Sequence, residues 1–355
     1  MKRSFIGLAL LCLFTAANGQ NKPFMEDIYY YIENTEMFGL GQEEGRAYYI
    51  PASSVSLNGQ WKFFYAENPE GIPSDFFKPS FNDRKWSGID VPSNWEMQGF
   101  GQAVFRNTVT PFHSDPPHVP HDLNPTGAYR TNFTVPSSWK GQEVFLRFEK
   151  VASASFVWVN GQQVGYNEGG QEPAEYDITK YIKPGKNSLA VLVLKYSDGC
   201  YLECQDYWRM AGIFDDVTLY STQQVRMRDW QVITDFDDSF KDSDLSVNVS
   251  VRSYGVQGDY KVKAKVTRDG KSVAEMDGGA QIQAGGEKVV ELRAKVASPL
   301  KWTAETPDLY DLTMELSDAS GRVVETITRK IGFKKTEIKD GVFYLNGQKV
   351  KLNGI

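Results

Sequence analysis

The sequence predicts an all-β chain of two consecutive sandwiches, and three observations carry that prediction. Apolar residues recur with period two in short runs, as in Leu57, Trp61, Phe63 and Tyr65, and again over 244–254 and 259–268. Hairpin dipeptides punctuate these runs at Asn58-Gly59, Asn160-Gly161, Asp269-Gly270 and Ser320-Gly321. Long helical periodicity is absent, which disfavours a doubly wound or barrel fold within these residues.

Length and composition set the bounds. A chain of 355 residues is long for one domain and comfortable for two. A hydrophobic content of 41% and an aromatic content of 13% describe a globular protein that can bury a core. The net charge of −6, without a basic cluster, argues against nucleic acid and anionic membranes as partners and suits a neutral ligand such as a sugar.

Taken in order, Met1-Lys2-Arg3, the apolar run Phe5 to Ala17 and the small residues of Ala17-Asn18-Gly19 form a signal peptide, 1–19, too short to span a bilayer. The mature protein is therefore expected to be exported, periplasmic or secreted, without membrane insertion. Residues 21–49 have no clear period and read as a lead-in lying across the surface. Strands are expected at 54–66, 127–135, 143–148, 154–159, 163–166 and 187–196, giving a jelly-roll sandwich over 20–221. The runs 232–236, 244–254, 259–268, 288–296, 309–317 and 323–333 make an immunoglobulin-like sandwich over 222–334. It lacks the usual cysteine pair and reads as a spacer. Val342 to Leu352 forms a last hairpin around Asn346-Gly347.

Two loops carry the chemistry. Ser197 to Phe214 joins two strand patterns and places Asp198, Glu203, Asp206 and Arg209 beside Tyr201, Tyr207 and Trp208. Aromatic faces take the C–H face of a pyranose and carboxylates accept from its hydroxyls; the plain alternative is a solvated cap with an Asp206–Arg209 ion pair. Thr108 to Asn124 holds Pro111, Pro116, Pro117 and Pro120, which forbid helix and central strand. It also holds all three histidines, His113, His118 and His121. Their spacing fits no zinc pattern and the prolines hinder convergence of the rings, so they are expected on the surface or on a substrate rim. Cys200 and Cys204 could close a small disulfide but are expected to be thiols without a catalytic role.

Several segments resemble family 2 glycoside hydrolases, and the β-galactosidase branch in particular. They are Asn94-Trp95-Glu96-Met97-Gln98-Gly99, Pro116-Pro117 with Val119-Pro120, Asn124-Pro125-Thr126-Gly127, Asn160-Gly161, Val164-Gly165-Tyr166, Asp198-Gly199, Tyr201-Leu202-Glu203, Gln205-Asp206, Trp208-Arg209-Met210 and Gly212-Ile213-Phe214, followed by Trp302, Pro307, Leu309-Tyr310 and Leu345-Asn346-Gly347. The resemblance implies a galactose-binding-like jelly roll, an immunoglobulin-like domain and then a catalytic (β/α)₈ barrel. Residues 335–355 would begin that barrel.

The same resemblance implies the chemistry. Both catalytic glutamates come from the barrel, so no catalytic residue is expected in this chain, and the portion alone is expected to be inactive. Asp206 would reach into the barrel's pocket, bind the galactose and help hold a monovalent cation, with Na+ and Mg2+ as ions of the whole enzyme and no organic cofactor. Asp115 would contact substrate, although it stands where the family commonly has Asn and cannot donate as an amide does. Glu203 and Trp208 are weaker candidates. The partners implied are a β-galactoside, the chain's own downstream barrel and a homo-oligomer. Two alternatives remain: a non-catalytic carbohydrate-binding module, and a β-glucuronidase or β-mannosidase of the same family.

Overall fold

The computed structural model describes residues 24–105, 110–203, 206–352 and 354. The signal-peptide expectation, Cys204 and Gln205 lie outside the described residues.

The first sandwich pairs a seven-stranded sheet with a four-stranded one. The larger runs in the order Gly39–Leu40, Gln162–Asn167, Ala154–Val159, Lys186–Leu194, Thr126–Thr134, Gly59–Ala66 and Ser87–Val91. The smaller runs Ala174–Asp177, Glu143–Phe148, Val217–Thr222 and Ser54–Ser56. Between them lie Trp61, Phe63, Trp95, Tyr129, Leu146, Val157, Val191, Val193 and Leu219, the jelly-roll core.

The central strands are buried on their other face too. There Ala128, Phe156, Trp158, Ala190, Leu192 and Leu194 pack with Ile28, Ile32, Phe76 and Trp86. Burial on both faces is why Ala154 to Val159 and Leu189 to Leu194 read as unbroken apolar runs and not as alternation. Ile28 and Ile32 come from an α-helix, Phe24–Ile32, where the sequence suggested an aperiodic surface lead-in. Its apolar face is too short to show a period. The sheet beneath it stabilises it, with Tyr31 edge-on to Phe156 at 5.3 Å.

Hairpin dipeptides divide into two kinds. Asn160-Gly161 (φ 52° and 81°) and Asp269-Gly270 (φ 50° and 75°) have positive φ at both positions and close two-residue hairpins. Asn58-Gly59 does not. Ser54–Ser56 lies in the smaller sheet and Gly59–Ala66 in the larger, so this dipeptide crosses between layers.

The second sandwich stacks Val225–Phe236, Ser243–Ser253 and Glu287–Val296 against Lys271–Ile282, Gly258–Arg268, Tyr310–Asp318 and Val323–Ile331. This is an immunoglobulin-like arrangement around Met227, Val247, Val249, Val262, Leu312 and Met314. Residues 336–349 add a small three-stranded sheet.

Residues 42–49 strap the two sandwiches together. Arg46, its side chain 2% exposed, donates to Glu175 Oε2 at 2.8 Å and to Tyr220 Oη at 3.1 Å in the first. The Ala47 N–H donates to Asp229 of the second at 2.9 Å, and Arg228 Nε to Glu43 at 3.2 Å.

Candidate functional site

The loop 197–214 leaves the double-buried strand Lys186–Leu194 and is pinned at its base. Asn124 holds its start, accepting from Tyr196 N–H at 3.0 Å and donating to the Tyr196 carbonyl at 2.9 Å. The Trp95 N–H donates to the Ala211 carbonyl at 3.0 Å, and Ser93 N–H to Ile213 at 2.8 Å. Gly212 sits at φ 130°, where a Cβ would stand 2.7 Å from the Ser93 carbonyl, so the loop can press this closely only with glycine there.

A buried ion pair underlies the loop. Lys195 Nζ lies 2.7 Å from Glu96 Oε1 and 2.7 Å from the Gln102 carbonyl, and Glu96 Oε2 accepts the Ala211 N–H at 3.0 Å. The Asn-Trp-Glu-Met-Gln-Gly segment thus shapes the loop from below.

At the tip, Asp206 and Trp208 face outward. Trp208 is 54% exposed and pairs with the half-exposed Phe105 ring at 5.6 Å, on the short ladder joining Trp208–Arg209 to Val104–Phe105. Asp206 is exposed and forms no ion pair with Arg209 among the described residues, which corrects that alternative. Arg209 is instead buried, with Nε and Nη2 unpartnered and its guanidinium 5.8 Å from the Tyr207 ring centroid. It lines a cavity of about 140 Å³ with Glu203 and Trp208. Burial pushes the Glu203 carboxyl up, and the charge of Arg209 opposes the shift.

Asp115 is exposed on the proline loop, and Tyr201 brings that loop to the first. The Asp115 N–H donates to Tyr201 Oη at 3.0 Å, and Tyr201 Oη donates to the His118 carbonyl at 2.6 Å. Two of the three histidine rings, His118 and His121, do converge, against expectation, on one carboxylate beside the N-terminal helix, while staying at the surface as expected. His118 Nδ1 is 3.1 Å from Glu33 Oε2 and His121 Nε2 is 2.7 Å from Oε1, while Val119 N–H donates to Oε1 at 3.0 Å. Pro116-Pro117 and Pro120 stiffen the backbone without preventing the side chains from reaching a common partner.

A second feature escaped sequence reading. Glu168 and Asp198 are both buried beside a cleft of about 1280 Å³. Burial, with Asp198 beside it, pushes the Glu168 carboxyl up to about 8, and burial raises Asp198 as well. Glu168 Oε1 and Asp198 Oδ2 are both buried without a hydrogen-bond partner among the described residues. Only the polar residues after Gly165-Tyr166 could have flagged Glu168.

Among the described residues no group of three or more His, Cys, Asp or Glu side chains is arranged to hold a metal ion. Asp206 offers one hard oxygen ligand of the kind Na+ or Mg2+ takes, and further ligands would have to come from elsewhere. Cys200 is buried, its Sγ 3.8 Å from Ser153 Oγ, and its thiol is pushed up to about 11 by burial, far from an activated thiolate.

Comparison with known proteins places this geometry. The profile for the sugar binding domain of glycosyl hydrolases family 2 matches residues 55–223, and a second family 2 profile matches 225–334. The chain belongs to glycosyl hydrolase family 2. It is 38% identical over 344 residues to a beta-galactosidase of Priestia megaterium, covering 91% of this chain and 33% of that protein. It is 37% identical over 329 residues to one of Streptococcus thermophilus, covering 92% and 31%. The chain thus spans about a third of the length of these curated relatives. Among solved structures, a Bacteroides uniformis beta-glucuronidase superposes with a TM-score of 0.70 at 23% identity, over 85% of this chain and 35% of that one. A beta-glycosidase from Bacteroides vulgatus gives 0.63 at 22%, over 85% and 36%. At these identities the structural matches establish the fold of the family 2 portion, all-β and without a barrel.

Proposed function

We propose that this chain is the N-terminal part of a β-galactosidase that hydrolyses terminal β-D-galactosides with retention, and that it supplies substrate-pocket loops but no catalytic carboxylate. The similarity to β-galactosidases over 91% of the chain carries this reading. The exposed tip of the loop 197–214 supports it. Asp206 accepts from galactose hydroxyls and contributes one ligand to a monovalent cation, Asp115 approaches the sugar from the facing loop, and Trp208 offers a stacking face with Glu203 behind it. A catalytic domain downstream of residue 334 supplies the acid/base and the nucleophile. The charged start and apolar run of residues 1–19 support export.

The test is hydrolysis of 4-nitrophenyl β-D-galactoside, β-D-glucuronide and β-D-mannoside by the whole protein that carries this chain. Preferred cleavage of the galactoside is expected. Cleavage of the glucuronide alone would transfer the protein to the other branch of the family.

A further inference from the structure

We propose that Tyr201 is a positioning residue that sets Asp115 against the loop carrying Asp206. The inference rests on the galactoside reading above and gives Tyr201, a member of the loop motif Tyr201-Leu202-Glu203, a role that neither the motif nor the similarity states. The Tyr201 hydroxyl meets the backbone of the proline loop twice, accepting the Asp115 N–H at 3.0 Å and donating to the His118 carbonyl at 2.6 Å. Those two residues are the ends of a single tight turn, in which the His118 N–H donates to the Asp115 carbonyl at 2.8 Å. One phenol therefore clips the turn at both ends.

The ring that carries this hydroxyl is itself held. It stands edge-on to Phe112 at 5.7 Å, and Phe112 packs against Tyr196 at 5.0 Å. Tyr201 closes the short 3-10 turn Asp198–Tyr201, inside the loop whose base is pinned by Glu96 and Asn124. The turn's far side is held separately, through Val119, His118 and His121 on Glu33. Asp115 is itself exposed, so its direction follows from these backbone clips and not from packing of its own side chain. Removing the hydroxyl releases the near side of the turn and leaves the far side in place.

The experiment compares wild type with Tyr201→Phe, which keeps the ring and deletes only the oxygen. In the 355-residue chain, the Asp115 amide should be protected from hydrogen exchange in the wild type. Its exchange should accelerate roughly fivefold to thirtyfold in the variant, the size expected for one or two lost hydrogen bonds. In the whole protein, KM for 4-nitrophenyl β-D-galactoside should rise by a similar factor with kcat nearly unchanged, a split that general destabilisation does not produce. An unprotected Asp115 amide in the wild type overturns the proposal before any variant is made. So does unchanged exchange in Tyr201→Phe, or accelerated exchange without a change in KM. If the wild-type protein cleaves no galactoside, the galactosidase reading fails, while the exchange measurement still decides whether Tyr201 pins the turn.

Discussion

Lys195 and Glu96 form an ion pair at 2.7 Å with side chains only 3% and 2% exposed, directly beneath the loop that carries Asp206. Charges this far from water are tolerated because each has further partners: the Gln102 carbonyl for the ammonium and the Ala211 N–H for the carboxylate. Removing one member strands the other. Lys195→Met is expected to lower stability by about 3–5 kcal/mol. The double variant Lys195→Met with Glu96→Met should recover part of that loss. Urea unfolding of the three proteins checks the order, and a single variant no worse than the double one contradicts it.

Arg46 is the strongest point of the strap between the sandwiches. Besides Glu175 and Tyr220 it donates to the Ala47 and Tyr49 carbonyls, so its loss frees a buried carboxylate that Arg147 alone must then neutralise. Arg46→Ala should cost about 3–5 kcal/mol. It should also split one calorimetric transition into two, because the domains lose their shared segment. A single unshifted transition would count against the strap.

The clasp of His118 and His121 on Glu33 makes the proline loop pH-dependent. The hydrogen bond and charge of Glu33 raise His118 above its usual 6.5. Burial alone would raise Glu33, but the Val119 N–H and both imidazoles outweigh it and hold the carboxyl below 4.5. The raised His118 contributes stability that is complete below about 6.5 and is lost as pH climbs through its folded value. The depressed Glu33 contributes above about 4.5 and is lost as pH falls through its folded value. Order in residues 110–121 should therefore peak between about pH 4.5 and 6.5 and decline as pH climbs through the raised folded value of His118. Amide exchange across that range measures it, and His118→Asn should flatten the profile.

Asp206 is exposed and makes no ion pair among the described residues, so Asp206→Asn should leave thermal stability unchanged. In the whole protein the same change should reduce kcat/KM on a β-galactoside by roughly tenfold to a hundredfold or more, the scale of a hydrogen bond to a charged acceptor. Asp115→Asn restores a donor at the facing position, and the same assay should show activity retained. A large loss there would mean that the carboxylate itself is needed.

The distance over which information had to travel decided what was readable in the sequence. The alternation in Ser243–Ser253 maps one-to-one onto inward and outward residues, because one strand face meets one core. Asn160-Gly161 and Asp269-Gly270 declare their turns locally. The helix Phe24–Ile32 was missed because its stability comes from a sheet and connections lying from about forty to more than a hundred residues later. Glu33 meets its histidines across 85 and 88 positions, which no spacing rule reaches. An Asp206–Arg209 ion pair, the plain alternative for the loop, does not form because the strand Trp208–Arg209 turns Arg209 inward while Asp206 lies exposed before it. At the site, the sequence marked both loops as informative and the resemblance singled out Asp206 and Asp115, but their contact through Tyr201 was not legible. The turn clipped by Tyr201 and the burial of Glu168 and Asp198 beside one cleft needed three dimensions.

The sheet buried on both faces defines where this polypeptide can be shortened. The family profile begins at residue 55, which invites a cut there. Such a cut deletes Ile28, Ile32 and Tyr31 from above Phe156, Trp158 and Tyr166, and removes Arg46 from Glu175 in the same stroke. A row of large aromatic and aliphatic side chains on neighbouring strands would then face water, the surface from which intermolecular aggregation starts. The segment that looks like a dispensable leader to the conserved domain is part of its fold, and soluble material should depend on keeping the helix from Phe24 onward.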